Sequence, residues 1–69
     1  MPNRLSNRLK EKRAELGLTQ ADLAERVGVT RKTVNTVENG VFIPSALLAL
    51  KLARALEEPV ERLFWLEPE

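Results

Sequence analysis

The sequence contains no cysteine, no histidine and no tyrosine. Without cysteine there are no disulfides, and without cysteine and histidine together the usual structural and catalytic zinc sites are excluded. Imidazole acid–base catalysis is excluded as well. Serine, threonine and carboxylates alone offer little for nucleophilic or acid–base chemistry. We therefore expect a protein that is not an enzyme and has no metal site, no cofactor and no small-molecule substrate.

Long apolar stretches are also lacking. No run of apolar residues approaches the roughly 20 that span a bilayer, and the first residues lack the pattern of a signal peptide. The absence of cysteine is typical of a protein that works in a reducing compartment. We expect a cytoplasmic protein with no membrane partner.

The composition that remains is that of a small globular protein. Of the 69 residues, 43% are hydrophobic and 30% are charged, and the length predicts a single domain over residues 1–69. The net charge is only +1, but it is unevenly distributed. Residues 1–34 carry eight Lys/Arg and four Asp/Glu, whereas residues 35–69 carry three and six. A basic half of this kind can face a polyanion while the acidic half is turned away.

Glycine and proline mark the ends of predicted helices. Gly17, Gly28 and Gly40 each follow a stretch with helical periodicity, where a left-handed cap residue belongs. No stretch alternates as a half-buried strand would. We predict an all-α fold, a compact bundle of five helices, over residues 4–16, 20–27, 31–39, 45–57 and 60–66.

One charged residue lies on the apolar stripe of the first predicted helix. The stripe consists of Leu5, Leu9, Arg13 and Leu16. We expect the leucines in the core, and Arg13 then needs a carboxylate because an unpaired buried charge is costly. Glu38, four residues after the apolar Val34, lies at the edge of the inner face of the third predicted helix. We therefore predict an ion pair between Arg13 and Glu38.

The second and third predicted helices are separated by a very short connection. Thr19 and Asp22 form a capping-box pattern at the start of the second helix, and Gly28 ends it. Thr30 is a good N-cap for the third. Such a tight connection holds two helices at a steep angle, and the small Ala24 suits the point where they cross.

The outward face of the third predicted helix is polar throughout. It carries Arg31, Lys32, Asn35, Thr36 and Asn39. Two cations and three hydrogen-bonding side chains without a large apolar group suit the edges of bases. A merely solvated face is the commoner origin of such a stripe and remains the alternative at this point.

A motif covers residues 17–30, GLTQADLAERVGVT, and continues with Val34 and the segment VENG at 37–40. This motif resembles that of the Cro/C1-type helix-turn-helix family of phage repressors and bacterial regulators. Pro44-Ser45 and residues 46–64 continue the resemblance. It implies a lambda repressor-like fold and a protein that binds double-stranded DNA and regulates transcription. The implied regulator is a repressor that acts as a dimer on an inverted repeat. The alternative is a protein-interaction module of the same fold, such as an antitoxin.

The resemblance also implies roles for individual residues. Arg31, Lys32 and Thr36 match positions that reach base edges, with Thr33 and Asn35 as helpers. Gln20, Asn39 and Thr30 match or adjoin phosphate contacts, and Arg13 and Glu38 match a family ion pair. The chain departs from the pattern at 41–43, where Val-Phe-Ile replaces the usual Lys or Arg.

The end of the chain predicts self-association. One face of a short helix cannot bury the four consecutive large side chains of residues 63–66, so we expect Leu63 and Phe64 in the core and Trp65 or Leu66 outside it. Leu47 falls on the outward stripe of the fourth predicted helix. We predict a homodimer interface that includes Trp65, Leu66 and Leu47. A partly exposed tryptophan folded over the tail is the alternative.

Overall fold

The computed structural model describes residues 3–68. The elements in chain order are β1 (Asn3–Asn7), α1 (Leu9–Glu15), α2 (Gln20–Val27), α3 (Arg31–Glu38), α4 (Ala46–Ala55), α5 (Val60–Leu63) and β2 (Phe64–Pro68). No helix within residues 3–68 has the length and apolarity needed to cross a membrane. Residues 3–68 are thus mostly helical, with five helices and two short strands.

Side-chain caps fix where the helices begin. The Thr19 hydroxyl accepts from the N–H of Asp22, and the Asp22 carboxylate accepts from the N–H of Thr19, both at 3.0 Å. Ser45 caps α4 in a similar way, by accepting from the N–H of Leu48 at 3.1 Å. At the other end of α4, Glu57 takes a left-handed conformation with φ 56°. The capping box explains why α2 begins at Gln20, where the sequence predicts it.

The prediction of an all-α fold is wrong at both ends of the chain. β1 and β2 form a two-stranded antiparallel sheet in which Leu5 faces Leu66 and Asn7 faces Phe64. The first predicted helix therefore loses residues 4–8 and starts at Leu9, and the fifth ends at Leu63 rather than 66. β1 and β2 lie at opposite ends of the sequence and satisfy each other's backbone N–H and C=O groups. A local hydrophobic period cannot reveal a pairing between such distant segments.

The core lies between the helices and the inner face of the sheet. Its buried apolar residues are Leu9, Leu23, Ala24, Val27, Val34, Val37, Leu52, Ala53, Leu56, Leu63 and Phe64. Leu63 and Phe64 are thus confirmed as core residues, and Leu5 packs against the same cluster from β1. Leu16 is a correction: it follows the last turn of α1 and is 38% exposed.

Candidate nucleic-acid interface

A tight turn joins α2 to α3. Gly28 lies in the left-handed region with φ 78°, and its N–H and that of Val29 both donate to the Ala24 carbonyl oxygen, at 2.9 and 3.0 Å. Ala24 is only 3% exposed, so its small side chain permits close approach of the two helices. Thr30 then caps α3 by accepting from the N–H of Thr33 at 3.2 Å. The arrangement is a helix-turn-helix.

The polar face of α3 is available to a ligand. Val34 and Val37 are buried, which turns the opposite face outward. On that face Arg31, Lys32 and Asn35 are exposed and Thr36 is half-buried, whereas Thr33 is half-buried on the flank of the helix. Within residues 3–68, neither Arg31 nor Lys32 forms a salt bridge. Arg31, Lys32, Asn35 and Thr36, four of the residues predicted to read bases, therefore lie together on one helical face, and no carboxylate within residues 3–68 pairs with either cation.

The hydroxyl groups of this face are engaged locally. The Thr36 hydroxyl donates to carbonyl oxygens of its own helix, those of Lys32 and Thr33, at 3.0 Å each. The Thr30 and Thr33 hydroxyls share a hydrogen bond of 3.1 Å at the start of α3. Because its donor is used, Thr36 has only acceptor capacity and a methyl group left for a ligand.

Gln20 connects the start of α2 to α3. Its Nε2 donates to Asn35 Oδ1 at 3.1 Å and to Glu38 Oε1 at 3.0 Å, and its Oε1 accepts from Arg31 Nη1 at 3.4 Å. Asn39 Nδ2 donates to the same Asn35 oxygen at 3.3 Å. The resemblance to the helix-turn-helix family implies separate phosphate contacts for Gln20 and Asn39, but it gives no sign that both side chains bond to Asn35.

Arg13 and Glu38 form a shielded ion pair between α1 and the end of α3. Arg13 Nε donates to Glu38 Oε2 at 2.7 Å and Nη2 to Oε1 at 3.3 Å. The side chains are 14% and 3% exposed. A third guanidinium bond, from Nη1 to the Leu18 carbonyl oxygen at 2.9 Å, anchors the loop before α2. This third partner was invisible in the sequence, because a backbone acceptor leaves no trace in residue type.

The capping carboxylate adds a fixed negative charge at the start of α2. The backbone N–H of Thr19, followed by its hydroxyl, lowers the pKa of Asp22 below the ordinary aspartate value. Asp22 is therefore ionised at neutral pH. Its charge offsets part of the positive end of the α2 dipole.

The loop after α3 is apolar and is bonded to that helix. Val41 and Ile43 are 76% and 72% exposed. The N–H groups of Val41 and Phe42 both donate to the Thr36 carbonyl oxygen, at 2.9 and 3.1 Å. Phe42 is 47% exposed, so the core does not enclose it. The loop offers neither a cation nor those two amides to a phosphate.

The residues predicted for a dimer interface lie on two elements. Trp65 and Leu66 belong to β2 rather than to a helix, and Leu47 lies on α4. Leu66 and Leu47 are each 64% exposed, and Trp65 is 38% exposed. The Trp65 indole N–H donates to Glu67 Oε2 at 2.8 Å, which fixes the ring on the face of β2 that also carries Glu67.

Three comparisons place the chain among known proteins. The Helix-turn-helix family profile matches residues 9–63. The chain is 49% identical to the HTH-type transcriptional regulator YgzD of Bacillus subtilis over 65 residues, which are 94% of this chain and 98% of that protein. It is 52% identical to an HTH-type transcriptional regulator of Methanothermobacter thermautotrophicus over 62 residues, or 88% and 90% of the two chains.

A solved structure agrees with the sequence relatives. The restriction-modification controller protein C.AhdI from Aeromonas hydrophila superimposes with a TM-score of 0.77 at 41% identity, covering 81% of this chain and 85% of that one. The profile match spans the α2–turn–α3 unit, the Arg13–Glu38 pair and the core helices. The chain therefore belongs to the Cro/C1-type helix-turn-helix family of transcription regulators.

Proposed function

We propose that this protein binds a specific sequence of double-stranded DNA as a homodimer and represses transcription there. The observation that carries the proposal is the exposed polar face of α3, which begins with Arg31 and Lys32, two cations that form no salt bridge within residues 3–68. An α-helix fits the major groove of B-DNA, and in helix-turn-helix proteins the first residues of the second helix contact base edges. No cofactor is needed for this activity.

Base reading is assigned to the start and middle of α3. Arg31 donates two hydrogen bonds to O6 and N7 of guanine, and Lys32 reaches the same acceptors, so the half-site contains at least one guanine. The Thr36 methyl contacts a thymine methyl. Asn35 contributes its amide, with Thr33 beside it. Arg31, Lys32 and Asn35 are exposed on one face of α3, as direct readout requires, and the half-buried Thr36 lies on the same face.

Phosphate contacts are assigned to the ends of the helices. The N-termini of α2 and α3, at Gln20 and Thr30, present backbone N–H groups of the kind that bind phosphate, and Asn39 lies at the other end of α3. Since the loop over residues 41–43 has no cation, few counterions are displaced. The salt dependence of binding is accordingly modest for a protein of this kind.

The homodimer is assigned to exposed apolar side chains on β2 and α4. Leu66 and Leu47 are each 64% exposed, and large exposed apolar groups on so small a protein favour association. A twofold dimer places its recognition helices roughly 34 Å apart, one turn of B-DNA, and so binds an inverted repeat. Occupying such an operator blocks access of polymerase, which gives repression.

The decisive experiment is selection of bound sequences from random duplex DNA, followed by affinity measurements on single-base variants of the selected site. We expect a palindromic site. Arg31→Ala and Lys32→Ala should each lose about 1–3 kcal/mol on the preferred site and relax the preference at one base pair. Lys51→Ala, which removes an exposed cation on α4, is the matched control and should leave the preference unchanged. Sequence-independent binding by the wild type would refute the proposal.

Dimerisation is tested separately by sedimentation at tens of micromolar protein. Wild type should sediment as a dimer, and Trp65→Ala and Leu47→Lys should shift it toward the monomer. Glu25→Ala, at an exposed position of α2, is the control. A monomeric wild type that binds DNA without a dependence on self-association would rule out the dimer while leaving the DNA-binding assignment intact.

A further inference from the structure

Glu38 contacts two different groups with its two oxygens. Oε2 accepts from Arg13 Nε, whereas Oε1 accepts from both Arg13 Nη2 and Gln20 Nε2. The Glu38 side chain is 3% exposed, so this geometry is shielded from competition by water. The ion pair is therefore not only a link between α1 and α3. It also touches the one side chain of α2 that bonds to Arg31.

The contacts of Gln20 determine which way its amide is turned. Nε2 lies within hydrogen-bonding distance of two oxygens, Oδ1 of Asn35 and Oε1 of Glu38. Only the NH2 group can satisfy two acceptors, because a rotated amide would place its carbonyl oxygen against the carboxylate and lose both bonds. The Gln20 oxygen is consequently directed to Arg31, whose Nη1 donates to it at 3.4 Å.

We propose that Glu38 is a positioning residue for base recognition, because it fixes the Gln20 amide in the orientation that holds the Arg31 guanidinium. The inference rests on the proposed function, in which Arg31 reads a base. It extends that function to a buried carboxylate that touches no DNA. The order of contacts is Arg13, Glu38, Gln20 and Arg31, so the ion pair that stabilises the fold also orients the reading side chain.

This arrangement changes the role of Gln20. With both N–H groups bonded to oxygens of α3, the side chain presents an acceptor to its surroundings, and an acceptor does not bind a phosphate oxygen. Gln20 therefore acts mainly through Arg31, while the backbone N–H groups at the start of α2 remain available for phosphate. A guanidinium held in advance loses less conformational freedom when it meets its base.

The test is a double-mutant cycle with Gln20→Met and Arg31→Met, measured on the selected site and its single-base variants. Gln20→Met keeps the length of the side chain and leaves the Arg13–Glu38 pair in place, so folding is preserved. We expect it to lose roughly tenfold in affinity, about the value of one good side chain–base contact, and only where the Arg31 base is present. The double variant should lose no more than Arg31→Met alone.

Glu38→Gln tests the carboxylate itself. Glutamine keeps the size and one acceptor for Arg13, but its amide can face Gln20 as donor or acceptor and no longer fixes the orientation. After circular dichroism has verified the fold, we expect a relaxed preference at the Arg31 base pair with little change elsewhere. Glu25→Gln is the matched control, since it makes the same change of side chain at an exposed position of α2. It should leave the preference at every base pair unchanged.

The outcomes separate the two proposals. If the wild type prefers one site but Gln20→Met weakens every sequence equally and adds fully to Arg31→Met, the positioning role is refuted and DNA reading stands. An unchanged preference in folded Glu38→Gln also refutes it. If the wild type shows no preferred site, the proposed function fails first and the positioning role fails with it.

Discussion

The Nδ2 of Asn7 donates a hydrogen bond to the carbonyl oxygen of Val37 at 2.9 Å, which ties the end of β1 to the last turn of α3. The same amide uses its other atom on the neighbouring helix, because Oδ1 accepts from the N–H of Leu9 at 3.1 Å. One half-buried side chain therefore gives a partner to the free N–H of Leu9 at the start of α1, a group that helices leave without one. It also adds a second donor to the Val37 carbonyl oxygen, which accepts from the N–H of Gly40 at 3.1 Å.

Replacing Asn7 should destabilise the protein. Asn7→Ala removes both bonds, and we expect the free energy of unfolding to fall by about 1–2 kcal/mol, the usual cost of losing a cap and leaving a polar group unsatisfied. Urea unfolding measures the change. Asn39→Ala, which removes one exposed bond of 3.3 Å, should cost less than about 0.5 kcal/mol. Equal losses in the two variants would contradict the assignment.

The Arg13–Glu38 pair should contribute far more to stability than the pair at the sheet. Arg13→Ala or Glu38→Ala leaves the partner charge shielded and unpaired, and we expect a loss of about 3–5 kcal/mol. Arg4→Ala breaks the Arg4–Glu67 bridge, whose side chains are 68% and 41% exposed, and should cost at most about 1 kcal/mol. Thermal unfolding of the three variants makes the comparison. Losses below about 0.5 kcal/mol at Arg13 and Glu38 would mean that water reaches the pair.

Replacing Glu57 with glycine should stabilise the protein. Among residues 3–68, Glu57 is the non-glycine residue with a positive φ, 56°. It lies just after α4, where its N–H donates to the Arg54 carbonyl oxygen and the N–H of Glu58 donates to that of Ala53. Glycine adopts this conformation without strain from a Cβ. We expect Glu57→Gly to gain about 0.5–1 kcal/mol in thermal unfolding. Glu57→Ala removes the same charge but keeps the Cβ, so a similar gain from alanine would assign the effect to charge instead.

The fluorescence of Trp65 should respond to acid through Glu67. The indole N–H of Trp65, then Ser6 and Arg4, lower the pKa of Glu67 below its ordinary value of 4.5. Because the pKa is lowered on folding, the stabilisation is fully present above the ordinary value and is lost as the pH falls through the folded value. Trp65 is the single tryptophan, so the emission of the protein should shift as Glu67 becomes protonated, below pH 4.5. Glu67→Gln should abolish the shift, whereas Asp22→Asn should leave it unchanged.

The helices can be predicted from neighbouring residues, whereas the sheet depends on residues at opposite ends of the chain. Thr19, Gly28 and Thr30 act on backbone groups within a few residues of themselves, so the sequence alone predicts the helix-turn-helix with nearly correct bounds. The strands have no such signal, because Asn3 faces Pro68 and each strand is meaningful only beside the other. The spacing of Leu5 fits the apolar stripe of a helix, but Leu5 lies in β1 and packs against the core from the sheet.

The candidate site shows the same division. The Arg13–Glu38 pair could be anticipated, because a charged residue on an apolar stripe has few acceptable partners. The contacts of Gln20 could not be, because an amide can donate and accept, and residue type alone does not say which atom meets which neighbour. Distances and the direction of each bond are needed to identify Glu38 as the residue that fixes its orientation.

The pairing of β1 with β2 also sets an order of events during folding. Residues 3–7 and their partner strand, residues 64–68, are some sixty residues apart in the chain. The helices between them have local contacts and can form while β1 waits unpaired. Because such distant contacts require a large loop to close, the sheet is expected to be the last part of the fold to assemble. Residues 3–7 should therefore gain their partner strand only after the helices have brought the two ends of the chain together.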